Sequence, residues 1–254
     1  TDLHRRMDDD QAIYDLKSYN ANEDGTNTFP SYTSNAPRVY AKRVITMVAG
    51  ADLFVRIPYG EEDRETGDKY DIKERVFYGF LDAADERLKR RLEMRAETQM
   101  AWSAAIRGYV CVRALLVKDE SGKTYVDVTP LDPRTAAWGV GYDGLDWAAY
   151  TTWRTAEEIN SFYGIHLGGP ATSLHQVIDY YDRTNNAVVV KGHGFVKPPK
   201  VHGAVGVPIV IVPVGPSPVV QPPNSQYMTA GYGESIFAEN RAVYKQRNAI
   251  LSIY

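Results

Sequence analysis

One cysteine in 254 residues rules out a disulfide within the chain and takes away the usual ligands of a structural zinc site. That cysteine, Cys111, lies in the apolar run Tyr109 to Val117 and reads as a small buried hydrophobe in a reducing compartment. No run of about 18 apolar residues occurs, so no transmembrane helix is predicted. The first residues, Thr1 to Arg5 leading to Met7 and three aspartates, lack the apolar core of a signal peptide. Positive charge is not in excess either, with 29 Lys and Arg against 32 Asp and Glu and a net charge of −3. A broad basic face that grips nucleic acid through its phosphates is therefore excluded.

The 44% hydrophobic and 24% charged residues are those of a folded chain with a sizeable core. A short helix is expected over 8–20, then a polar loop over 20–35, a helix over 38–50 ended by Gly50, and a strand over 51–58. Ile72, Val76, Phe77, Phe80, Leu81, Ala84, Leu88 and Leu92 recur at helical spacing and predict a long amphipathic helix. Its basic stretch over 86–95 keeps the apolar stripe and reads as a solvated face or a subunit contact, with a DNA contact as the alternative. A second helix with small residues Ala101, Ala104 and Ala105 ends at Gly108. Strands over 110–117 and 123–128 form a hairpin, and strands over 135–140 and 146–153 form another, turned by Asp143-Gly144. Thr155 and Glu158 make a capping box for a helix that ends near Gly164. Strands follow over 177–181, 187–190, 195–197 and 207–212. Pro213, Pro216, Pro218, Pro222 and Pro223 then make a semi-rigid strap. Ile236/Phe237, Val243/Tyr244 and Ile250/Leu251 repeat every seven residues, which predicts one helix from Ile236 to Tyr254 with Ser235 as its N-cap. The chain starts without Met and stops within that pattern, so it reads as a fragment.

Five histidines (His4, His166, His175, His193, His202) form no ligand motif, and His193 and His202 are expected on a strand surface rather than around a metal. Gly122-Lys123-Thr124 lacks the earlier glycine of a phosphate loop, whose place is held by Val117. Gly233-Glu-Ser235 resembles half of a nucleophile elbow, but Phe237 stands where the second glycine is needed. Asp8/Asp9 and Glu61/Glu62 read as solvated carboxylates. A carbohydrate-active or other hydrolytic enzyme rests only on 18 Tyr and 4 Trp, most of them in strand patterns.

Three segments carry a family resemblance. Arg107-Gly108-Tyr-Val-Cys-Val-Arg leads to Leu131-Asp132-Pro133-Arg134; Gly206-Val-Pro208-Ile-Val-Ile-Val-Pro follows; and Tyr232-Gly233-Glu-Ser235 opens a helix with Asn240 and Asn248. In this order they resemble the portal proteins of tailed bacteriophages, over roughly residues 38–254. The resemblance implies an α+β, portal-like fold: a helical wing region over 1–118, a β-rich wing and clip region with its strap over 119–222, and the start of a stem or tunnel helix over 223–254 that continues past the chain end. It implies a homo-oligomeric ring, usually a dodecamer, at one capsid vertex. Through that head-tail connector double-stranded DNA is packaged and ejected. Its partners would be the terminase large subunit, a head-completion adaptor and the capsid protein, in the virion and, during assembly, the host cytoplasm. On this pattern Gly108, Asp132, Pro133, Pro208, Gly233, Ser235, Asn240 and Asn248 are structural positions, with no catalytic, cofactor-binding or metal residue and no membrane. The alternatives are the hydrolytic enzyme above and another minor virion structural protein that shares the β module.

Overall fold

The computed structural model describes residues 2–19, 31–51, 67–118, 122, 124–215 and 233–253. The fold is α+β, with six helices and two sheets among these residues. It divides into two compact units, one built from 1–110 together with 211–254 and the other from 111–210.

The first unit is helical. Helix α1 spans Asp2–Tyr14, α2 Ala36–Ala49, α3 Gly67–Arg90 and α4 Ala96–Trp102. α2 starts with Pro37 in its first turn, where a missing N–H costs nothing, and buries Ala41 and Ile45 one turn apart. Ala101, Ala105, Ile106 and Phe237 complete that core, with Ile13, Tyr14, Trp102 and Tyr244 at its edge. The small residues of α4 therefore do what small residues on a helix allow, which is close approach. α4 runs into a π-helical turn at Ser103–Arg107 and stops at Gly108, whose φ of +71° no side chain favours.

Several sequence expectations change here. The first helix starts and ends earlier than 8–20, and the chain leaves it through Leu16 at φ +57°. The long amphipathic helix exists as α3, but its stripe is only half buried: Ala84 and Leu88 are 1% exposed, whereas Ile72 is 55% and Phe80 40% exposed. Leu92 is not on the helix at all; it sits beyond Arg90 with φ +59° and is fully exposed. The single helix from Ile236 to Tyr254 is also replaced. Ser235 begins a short 3-10 turn, Ala238–Asn240, and α6 runs only over Arg241–Ile253. Its heptad stripe is uneven, because Phe237 is fully buried while Val243, Ile250 and Leu251 are exposed. Most of the polar loop, the strand over 51–58 and most of the proline strap lie outside the described residues.

The second unit is the β-rich one, and the expected hairpins are present. β1 (Tyr109–Lys118) pairs antiparallel with β2 (Thr124–Leu131), from Cys111↔Leu131 to Lys118↔Thr124. A 3-10 turn at Pro133–Thr135 leads to β3 (Ala136–Gly141) and β4 (Gly144–Thr155). β5 (Leu174–Asp182), β6 (Asn185–Val190) and β7 (Gly194–Val201) complete an antiparallel five-stranded sheet in the order β3-β4-β5-β6-β7. Neighbours in sequence are neighbours in space, with turns joining every pair except β4 and β5, between which α5 intervenes. β8 (Ile209–Pro213) lies beside β1 in the other sheet. Helix α5 (Ala156–Tyr163) carries the expected capping box: the Thr155 hydroxyl accepts from the Glu158 N–H, and the Glu158 carboxylate accepts from the Thr155 N–H at 2.7 Å. α5 buries Ala156 and Ile159 against Val177, Val188 and Val190 of the sheet.

Candidate functional site: the Gly108–Gly233 junction

Two glycines 125 positions apart come together in the helical unit. A Cβ added to Gly108 would lie 2.7 Å from the backbone of Glu234, and one added to Gly233 would lie 1.9 Å from the Gly108 carbonyl oxygen. No side chain fits either place. The Val214 N–H donates to the Gly108 carbonyl, the Glu234 N–H to Val214, and the Ile236 N–H to the Ala105 carbonyl, each at 2.8–2.9 Å. The last of these bonds suits the π-helical turn, which leaves carbonyls free of the usual helical partner.

Asp10 fastens α1 to this junction. Its carboxylate, 2% exposed, accepts from the Ser235 hydroxyl at 2.8 Å and from two guanidinium nitrogens of Arg241 at 2.6 and 2.7 Å. Ser235 in turn accepts from the Phe237 N–H at 3.1 Å, a local turn held by an aspartate and not the N-cap of a helix from Ile236, since the 3-10 turn has Phe237 at its N-cap. Bonding to Asp10 raises the pKa of Arg241. Arg6 donates to the Gly233 carbonyl at 3.3 Å, and buried Arg107 donates to the Met7 carbonyl at 2.9 Å.

Of the remaining positions singled out above, Asn248 lies on α6 and its side-chain oxygen accepts from the Ser34 N–H at 3.0 Å, tying the chain before α2 to the last helix. A cleft of about 280 Å³ opens there, lined among others by Leu16, Lys17, Arg241, Lys245 and Asn248. Asn240 is exposed and closes the 3-10 turn through its N–H. Asp132 and Pro133 belong to the β-rich unit, where the Asp132 carboxylate accepts from the Arg134 N–H at 2.9 Å and caps the turn that buries Pro133. Pro208 is buried, and its carbonyl accepts from the Ala114 N–H at 3.0 Å, which begins the pairing of β8 with β1. The structure thus gathers Gly108, Gly233 and Ser235, and leaves the other five at separate joints.

The β-rich unit holds a second polar centre that periodicity did not reveal. Arg113 pairs with Asp127 at 2.7 Å and donates to the Tyr150 hydroxyl; Tyr150 stacks on Tyr181 and hydrogen-bonds Asp179. One Asp179 oxygen has no hydrogen bond, only the Arg154 guanidinium 3.9 Å away. Burial pushes the Asp179 carboxyl above its ordinary range against the pull of Arg154 and Arg113, and burial beside Asp179 raises Tyr150 as well. On Arg113 burial acts the other way, but Tyr150, Tyr181 and Asp127 outweigh it and hold the guanidinium charged. None of Arg113, Asp127, Tyr150 or Asp179 lines the cleft described above. The signal for this centre was in the sequence, in Arg113, Asp127 and Asp179 each standing within an otherwise apolar or aromatic stretch of strand.

Cys111 is buried, as expected, and burial then Asp132 push its thiol up to about 12, which leaves it unreactive. His202 is hydrogen-bonded, with Nε2 3.1 Å from the Asp182 carbonyl and Nδ1 accepting from the Ala204 N–H. No group of three or more His, Cys, Asp or Glu able to hold a metal occurs among the described residues, and no described helix is long and apolar enough to cross a membrane. Comparison with protein-family models and with curated proteins found no match.

Proposed function

We propose that this chain is a portal-type subunit, a structural protein that closes with copies of itself around an axis at a capsid vertex and lets double-stranded DNA pass. One observation carries the reading. The glycines of the first and last resembling motifs, Gly108 and Gly233, meet in a contact that no other residue can make, and Ser235 of the same motif anchors the N-terminal helix there. That gives a physical reason for those residue types at those places. The ring of twelve, the wing, clip and stem regions, and a last helix that continues beyond Tyr254 belong to the proposal. So do the terminase, adaptor and capsid partners and the virion location.

On this reading the protein has no active site of its own. The Asp10 centre ties the N-terminal helix to the junction through the bonds it accepts from Ser235 and Arg241. The net charge of −3 suits a passage through which DNA slides, because many simultaneous Lys and Arg contacts to phosphate would resist movement. The reading is tested in a phage that carries the gene. Disrupting it should leave capsids without DNA, and supplying the gene in trans should restore filled particles. Filled, infectious particles without the gene would refute it.

A further inference from the structure

The β-rich unit brings two histidines together that the sequence keeps 18 positions apart. His175 lies near the start of β5, and His193 sits in the turn between β6 and β7. Gly192 and Gly194, both at φ +86°, let the chain double back around His193, and the His193 N–H closes the turn on the Val190 carbonyl at 3.0 Å. The two imidazole rings stand edge to face, with centroids 5.5 Å apart and planes at 71°. His175 Nε2 is buried and carries no hydrogen bond. An unused ring nitrogen beside a second imidazole calls for a ligand, because a buried polar atom left unpaired is costly.

The spacing suits one kind of ligand. Two imidazoles on one tetrahedral metal, each bound at about 2.0–2.1 Å, place their ring centroids about 5.2 Å apart. We infer that His175 and His193 form a two-histidine chelate for a borderline divalent cation, of the class of zinc, nickel or copper. Imidazole is the side chain such ions prefer over carboxylate alone. No third His, Cys, Asp or Glu joins the pair among the described residues, so water fills the other positions and the site is open. His193 is exposed and can turn its ring toward the ion without disturbing the core. Arg154, in register opposite His175 on β4, is occupied by the Tyr163 hydroxyl at 3.3 Å and faces Asp179, which offsets its charge, and exposed Lys191 follows β6 beside Gln176.

The inference is independent of the proposed function and is tested on the intact chain with zinc or nickel chloride as the probe. Calorimetric titration at pH 7.5 should find one ion per chain, and His193→Ala should weaken binding by about tenfold or more, since a single imidazole is left. His175→Gln should do the same, and His166→Ala, an exposed histidine elsewhere, should change nothing. With copper, the electron paramagnetic resonance spectrum should show coupling to two ring nitrogens in the parent and one in His193→Ala, a difference that survives any loss of stability in His175→Gln. No bound ion in the parent chain, or unchanged binding in His193→Ala, would overturn the site.

Discussion

At Gly108 one methyl group decides whether the two ends of the helical unit can close. Alanine there meets the Glu234 backbone at 2.7 Å and needs a left-handed conformation that it resists. Gly108→Ala should therefore cost at least about 2 kcal/mol, read as a lower urea midpoint. A melt within a degree of the parent would show that the junction yields. Asp179 carries a pH prediction. Its pKa is raised by burial, so the folded chain binds this proton more readily than the unfolded one. The resulting stability is complete below the unfolded pKa of about 3.9 and is lost as pH rises through the folded value. Asp179→Asn removes the buried charge and keeps hydrogen-bonding capacity. It should stabilise the protein on the order of 1 kcal/mol at pH 7.5 and flatten the melting temperature between pH 4 and 7.5. A lower melt at pH 7.5 would mean that the pairing with Arg154 and Arg113 outweighs the cost of burial.

Along helix α3 the same apolar pattern has two different fates. Leu88→Ala should cost about 2–5 kcal/mol, as for a buried leucine, while Phe77→Ser, one of the exposed positions, should stay within about 1 kcal/mol. Equal costs in a denaturant series would contradict the burial along that helix. Local signals with a local cause were legible beforehand: the Thr155 and Glu158 capping box, the two hairpins, the stop at Gly108 and the alternation of β5 all follow from residues a few places apart. Thr155→Ala should lower the melting temperature by a few degrees, the loss of one N-cap. Boundaries that depend on distant partners were not legible. Helix α6 begins at Arg241 rather than Ile236 because Phe237 and Ser235 are drawn into the core and onto Asp10, contacts that span more than 220 positions for the serine.

On the scale of the whole chain, what the sequence could not convey is which distant residues meet. Asp10 reads as one more acid in a solvated run with Asp8 and Asp9, yet it is the buried one and binds Arg241 and Ser235. Residues 1–110 and 211–254 belong to one compact unit, and residues 111–210 to the other. The α+β class was legible, because helical and alternating patterns are confined to separate stretches. Among the sheet aromatics, Trp147 stacks on Tyr180 and Tyr150 on Tyr181 across β4 and β5, while Trp153 and Phe195 remain largely open. The central claim is that copies of this polypeptide assemble into a closed ring around a DNA passage. Negative-stain electron microscopy of the protein expressed from its complete gene addresses this directly. The account expects annular particles of uniform subunit number with a stain-filled central hole. A population of small, compact particles at every concentration, with no annulus, would contradict it.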